Sequence, residues 1–153
     1  MKTILIASDH AGFPPKEKIK AYLERQGFIL KDLGAYSKER CDYPKFAAKL
    51  AKLISRGKYK RGILICKTGI GNSIIANRFA RVRAALCYNA SASRLSRQHN
   101  NSNVLVLGSA FVNEKLAKRI IKVWLNTEFM GGRHSRRLSQ IKNIERKIRC
   151  NKI

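Results

Sequence analysis

The stretch GILICKTGIGNSIIANR, residues 62–78, changes its periodicity partway along. Residues 62–66 form a continuous apolar run that closes on Cys66. Lys67, Thr68, Gly69, Ile70 and Gly71 interrupt it, and a helical segment follows. A short apolar run without polar alternation suits a strand covered on both faces. Glycines between a strand and a helix read as a turn whose unpaired backbone N–H groups favour an anion. Gly69 and Gly71 superficially resemble a dinucleotide fingerprint. Ile74 stands where the third glycine belongs, however, and the strand is the third of the chain, so NAD is not the expected ligand.

The same rhythm runs outward in both directions. TILIAS (3–8), RAALCY (83–88) and NVLVLGS (103–109) are apolar runs of similar length, and FILKDLG (28–34) is a weaker member. Helical patterns lie between them. PPKEKIKAYLERQG carries proline at its start, Ile19 and Leu23 four apart, and Gly27 as a C-terminal cap. DYPKFAAKLAKLISRG has Asp42 as N-cap and Pro44 in the first turn. NEKLAKRIIKVWLN opens on Asn113 and places Leu116, Ile120, Val123 and Trp124 on one stripe. This alternation predicts an α/β fold: a Rossmann-like open parallel sheet of about five strands flanked by helices, in one domain over residues 1–153. Open parallel sheets bind ligands at the carboxyl ends of their strands. SDHAG, CKTGIGN and GSAF stand after the first, third and fifth strands, where that rule expects a site. The final segment, GGRHSRRLSQIKNIERKI, reads as a hinge and a basic helix. Leu138, Ile141, Ile144 and Ile148 give that helix a face suited to packing on a partner subunit.

Composition narrows the setting. At 44% hydrophobic residues in 153, the chain can bury a core without covalent staples. The opening MKTILIASDH has too short an apolar run for a secretory signal, which needs about 7–15 such residues. No segment approaches the ~18 apolar residues of a membrane span. A soluble, cytoplasmic protein with no membrane partner is expected. Cys41, Cys66, Cys87 and Cys150 are scattered without a C-x-x-C pair, which fits neither a disulfide framework nor zinc. Cys87, inside an apolar run, reads as a small core residue. The net charge is +24, from 33 Lys and Arg against 9 Asp and Glu. Clustered cations would bind polyanions through counterion release. Here they are spread along nearly every helix, without stacking aromatics or an RNA-binding signature, so nucleic acid is not the expected partner. A diffuse positive field instead raises encounters with small anions.

Several residues carry chemistry. A helix N-terminus and an adjacent cation predict a depressed pKa for Cys66, making it a candidate base or nucleophile; the alternative is a buried structural thiol. Lys67 suits a Schiff base or, more simply, solvent. His10, His99 and His134 all lie in polar, loop-like contexts with no i, i+4 pair, so no metal site is expected. Arg133, His134, Arg136 and Arg137 form a compact cluster, and arginine forks suit a phosphate monoester.

Taken in order, SDHAGF (8–13), DYP (42–44), C-x-TGIG-x-S-x-x-AN (66–77), RAALC (83–87), R-x-HN (97–100), NVL-x-LG (103–108) and LNTEF-x-GGRH-x-RR (125–137) cover nearly the whole chain. This collinear set resembles ribose-5-phosphate isomerase type B and its relatives, the galactose-6-phosphate isomerase subunits. The resemblance implies interconversion of ribose 5-phosphate and ribulose 5-phosphate through an enediolate, without metal or cofactor. It implies Cys66 as the base, with the turn Lys67, Thr68, Gly69, Ile70 and Gly71 holding the enediolate oxygen and Thr68 counted with the catalytic residues. His99 matches the ring-opening proton donor. Asp9, His10 and Asn100 match sugar- and phosphate-contacting positions with Tyr43 near them, and Arg133 and Arg137 match the phosphate clamp. A homodimer or tetramer with the site at the subunit interface is implied. Two departures stand out: Lys67 replaces a glycine usual in the family, and Ala110 replaces a frequent arginine. Isomerisation of a six-carbon sugar phosphate, and binding of sugar phosphate or polyanions without turnover, are the alternative readings.

Overall fold

The computed structural model describes residues 3–151. Five strands, β1 (Ile4–Ser8), β2 (Leu30–Asp32), β3 (Arg61–Cys66), β4 (Ala84–Leu86) and β5 (Val104–Gly108), form one parallel sheet in the order β2-β1-β3-β5-β4. The helices are α1 (Phe13–Arg25), α2 (Tyr43–Ser55), α3 (Ile70–Ala76), α4 (Ala90–Asn100), α5 (Glu114–Asn126) and α6 (Arg133–Arg149). The architecture is the expected one. The weaker run FILKDLG and the run RAALCY contribute only three-residue strands, β2 and β4, which form the two edges of the sheet.

The continuous apolar runs are explained by burial on both faces. Ile4, Ile6, Ile63, Ile65, Leu105 and Leu107 pack on one side with Ile19 and Leu23 of α1 and Ile120, Ile121 and Trp124 of α5. Leu5, Ala7, Leu64, Val104 and Val106 pack on the other side with Ala47, Leu50, Ala51 and Ile54 of α2. Cys87 belongs to the first cluster. Trp124 is fully buried and its Nε1 donates to Ser102 Oγ at 2.8 Å, so the largest core side chain has its polar atom satisfied. Truncating such a residue to alanine costs about 3–5 kcal/mol.

Caps follow the sequence in part. Asn89 and Asn113 accept from the backbone amides of Ala92 and Leu116, at 2.8 Å and 2.9 Å. Asp42 stands at the N-cap position of α2, but its side chain makes no cap bond. Gly27 follows the α1 cap in a left-handed conformation (φ 82°). One charged group is sealed in. Lys16 is 0% exposed, its Nζ donates to Asp32 Oδ2 at 2.6 Å, and Lys20 donates to the same oxygen at 2.6 Å. Desolvation works to raise the Asp32 carboxyl, but the two lysines outweigh it and hold that carboxyl below its usual range. No described helix is long and apolar enough to cross a membrane.

Two close approaches draw the carboxyl ends of the strands together. A Cβ on Gly12 would lie 2.3 Å from the Ile65 carbonyl oxygen, and one on Gly108 would lie 2.3 Å from the Thr68 carbonyl oxygen. Main chain meets main chain there, and α6 lies outside this packed body. It presents Ile141, Ile144 and Ile148 exposed, and Glu145 accepts from the Arg81 amide at 3.0 Å.

Candidate active site

The sequence changes direction around the centre of the sheet. From β1 the chain goes to β2 on one side, then returns to β3 on the other, and this reversal opens a crevice at the carboxyl ends of β1 and β3. Cys66 ends β3 in that crevice, buried at 4% exposure. Its Sγ accepts from the Gly69 amide at 3.1 Å. Gly69 reaches this position with φ 83°, a conformation that costs a residue with a Cβ about 1–2 kcal/mol. A Cβ there would also lie 2.4 Å from Leu86 Cδ1. The turn therefore needs glycine for torsion and for space.

Asp9 follows β1 at 6% exposure, and its Oδ1 accepts from the Gly12 amide at 2.8 Å. This carboxylate acts on the thiol. Burial is the main influence pushing Cys66 above the ordinary cysteine range, and the negative charge of Asp9 adds to it. The Gly69 amide, with smaller help from those of Asn72 and Thr68, pulls the other way without prevailing. The depressed thiol expected from the helix terminus is thus corrected. The glycine turn does aim its amides at the sulfur, but desolvation wins over them. The opening helix, α3, has only seven residues.

Around this centre, His10 is half-buried. Its Nδ1 lies 3.0 Å from the Cys41 carbonyl oxygen and 3.2 Å from the Cys41 amide nitrogen, so either tautomer finds a partner. Tyr43 opens α2 and covers Gly71, where a Cβ would lie 2.3 Å from the ring. Thr68 Oγ1 accepts from the Ile70 amide at 3.3 Å, and the Thr68 carbonyl accepts from the Tyr88 hydroxyl at 3.0 Å. Lys67 is exposed and its carbonyl accepts from the Ala110 amide at 2.9 Å, which holds its backbone in place. Ile70 is half exposed at the start of α3.

The remaining candidates lie elsewhere. Residues 97–103 close α4 and enter β5, where the Asn103 carbonyl accepts from Gly62 and the Asn103 amide donates to Arg83. These are amino ends of strands. The run from Arg61 to Cys66 spans about 16 Å at ~3.3 Å per residue. His99 and Asn100 therefore sit at the opposite end of the sheet from Cys66. His99 stacks on His134, with centroids 4.3 Å apart and planes 9° from parallel. The Met130 amide donates to the Gln98 carbonyl at 3.1 Å, tying the glycine hinge to α4. Arg133 and Arg137 are exposed beside this pair on the first turns of α6. Burial, followed by His99, Arg133 and Arg137, holds His134 below its usual range. Both histidines are helical, which corrects the loop-like reading.

The chain thus brings Asp9, His10, Tyr43, Cys66 and the turn to Gly71 together, and gathers His99, Asn100, Arg133 and Arg137 separately. Two neighbours of Cys66 went unread. Asn72 Oδ1 and Ser8 Oγ are buried without a hydrogen-bond partner among the described residues. Their only sequence signal is adjacency to Gly71 and Asp9. His134 Nε2 is similarly unpartnered.

Residues 4–141 match the family model described as Ribose/Galactose Isomerase. The chain is 45% identical over 147 residues to ribose-5-phosphate isomerase B of Escherichia coli, covering 96% of this chain and 99% of that protein. The structure of Clostridium thermocellum ribose-5-phosphate isomerase B superposes with a TM-score of 0.93 at 43% identity, covering 95% and 99% of the two chains. That of Mycoplasma genitalium ribose-5-phosphate isomerase B, solved with bound ribulose 5-phosphate, gives 0.90 at 39% identity over 95% and 97%.

Proposed function

The chain belongs to the ribose/galactose isomerase family and is a sugar-phosphate isomerase, and from that premise we propose that it interconverts ribose 5-phosphate and ribulose 5-phosphate with Cys66 as the base. The observation that carries this reading is the buried Cys66 sulfur, 3.1 Å from the Gly69 amide, at the end of β3 in the central crevice. In the open-chain aldose, the Cys66 thiolate removes the proton from C2, and the C1 carbonyl takes up the electron pair as an enediolate. The Cys66 thiol then returns the proton to C1 while the proton on the C2 hydroxyl passes to the C1 oxygen, which leaves the ketose and regenerates the thiolate.

A thiol raised by burial is mostly protonated near neutral pH, but each thiolate formed is a stronger base. Backbone amides of the turn from Lys67 to Gly71, with Thr68, would stabilise the enediolate oxygen. Asp9 and His10 stand on the other wall of the crevice, and Tyr43 closes it over Gly71. His99 serves ring opening, while Asn100, Arg133 and Arg137 hold the phosphate.

These two groups lie at opposite ends of one sheet, so a complete site needs a second copy of the chain. The exposed Ile141, Ile144 and Ile148 on α6 supply an apolar face for that copy. In the closed assembly, one protomer's Cys66 would meet its partner's phosphate-binding group.

The test is a coupled assay of ribose 5-phosphate turnover, comparing the natural chain with Cys66→Ala in a preparation free of host isomerases. Loss of about 10²–10⁴ in kcat with KM nearly unchanged is expected for removal of a general base. Turnover that survives in Cys66→Ala sinks the assignment of the base. Absence of turnover in the natural chain moves the substrate to another sugar phosphate.

A further inference from the structure

A cleft of about 560 Å³ opens at the amino ends of β1 and β3, on the side of the sheet away from Cys66. Arg61, Arg83 and Arg97 line it with Lys60, Asn101 and Asn103. His99, Asn100, Arg133 and Arg137 do not line it, so it is not the proposed phosphate clamp. The lining contains no aspartate or glutamate. The ion pairs among the described residues all involve lysines elsewhere. Glu145 acts on Arg83 only through its charge, and its oxygens accept from the Arg81 amide.

The guanidinium groups are tied into one cluster. Arg83 Nε donates to the Asn101 carbonyl at 2.9 Å, and Arg97 Nη1 donates to Asn101 Oδ1 at 2.8 Å. Arg61 and Arg97 both stand over the Trp124 ring, at 5.5 Å and 5.9 Å. Protein acceptors hold one edge of each group: the Leu125 carbonyl for Arg61, the Asn101 and Arg81 carbonyls for Arg83, and Thr127, Asn101 and Ser102 for Arg97. No Nη2 of the three has a partner among the described residues, and none is sealed from solvent. Burial and the charges of Arg61 and Arg83 push Arg97 down to about 10. Three partly buried cations with donors to spare and no carboxylate between them are electrostatically unsatisfied, and a multivalent anion is the group that would settle them.

We infer that this cleft binds a small phosphate-bearing anion, through the open edges of Arg61, Arg83 and Arg97. Lys60 and the side-chain amide of Asn101 complete the donor set. Fixed guanidinium forks suit phosphoryl oxygens in pairs, which favours a diphosphate over a lone carboxylate.

Inorganic pyrophosphate is the probe, titrated calorimetrically near physiological ionic strength into the full chain carrying Arg137→Ala, which disables the proposed clamp. Binding is expected to persist there, to weaken about tenfold or more on adding Arg61→Gln, and to be unchanged on adding Lys115→Gln instead. Lys115 is exposed on the first turn of α5, away from the cleft, and removes the same charge. Equal weakening by both variants, or no binding at all, overturns the site and leaves only the general field. A second measurement does not depend on the variants folding. In the natural chain, pyrophosphate should protect Arg61 and Arg83 from an arginine-specific dicarbonyl reagent, read by peptide mapping. Unprotected Arg61 and Arg83 overturn the proposal, as does a short single-stranded RNA that displaces pyrophosphate at lower concentration.

Discussion

At the carboxyl ends of β1 and β3 the main chain does the positioning, whereas at the amino ends of β3, β4 and β5 side chains do it. Cys66 is addressed by the Gly69 amide and Asp9 by the Gly12 amide. At the other end, three arginines are arranged around Asn101 and Trp124, and two histidines stack on each other. The first region is apolar and close-packed, with a carboxylate beside the thiol. The second gathers three guanidinium groups with no aspartate or glutamate lining the cleft between them. The contrast teaches that a strongly basic chain can keep its arginine clusters away from the buried thiol proposed as its base.

The sharpest way to break this division is to mix two inactive chains. If each site joins the Cys66 region of one copy to the His99 region of another, Cys66→Ala and His99→Ala chains complement each other. Random pairing puts half the dimers in mixed form with one intact site of two, so about a quarter of natural turnover should return. No recovery after the chains have exchanged would place the whole site within one copy.

Gly69→Ala probes the main-chain side. It combines a positive φ with a Cβ 3.2 Å from the Leu107 carbonyl carbon and 2.4 Å from Leu86 Cδ1. A stability loss of about 1–3 kcal/mol is expected in urea unfolding, with a fall in kcat/KM. An unchanged midpoint would show that the turn relaxes freely.

Asp9→Asn addresses the electrostatics. With Cys66 as the proposed base, isomerisation needs the thiolate, so kcat/KM should rise with pH, and a raised Cys66 places that limb above the ~8.5 of free cysteine. Asparagine keeps an acceptor for the Gly12 amide but removes the charge that opposes ionisation. The limb should move to lower pH even if its height falls. A limb that stays in place would mean that burial alone sets the thiol.

Lys67→Gly should do least. The lysine side chain is exposed, and its charge is not among the influences on Cys66. A change below about twofold in kcat/KM is expected, and a large loss would give its ammonium a place at the substrate.

Much of the fold was legible because its signals are local. The five apolar runs, the glycine turn and the cap Asn113 each sit within a few residues of what they determine. The shortness of β2 and β4 was less so, since edge strands end where neighbours stop offering partners. In the candidate site, Asp9, His10, Cys66 and the turn were readable from their places after strands. The height of the Cys66 pKa was not, because the helix terminus is written in the sequence while desolvation is made by the packed neighbours. The stacking of His99 on His134 and the meeting of Arg61, Arg83 and Arg97 join distant segments, and no spacing rule connects them.

The close approaches at Gly12 and Gly108 have a consequence for how a sugar phosphate would be received. Where backbone presses on backbone, as Gly12 on Ile65 and Gly108 on Thr68, the floor of the crevice has no rotamers to freeze. Immobilising a flexible side chain on binding costs about 0.5–1.5 kcal/mol each. At the crevice floor that entropy was surrendered when the chain folded, so a small ligand settles on a surface already still.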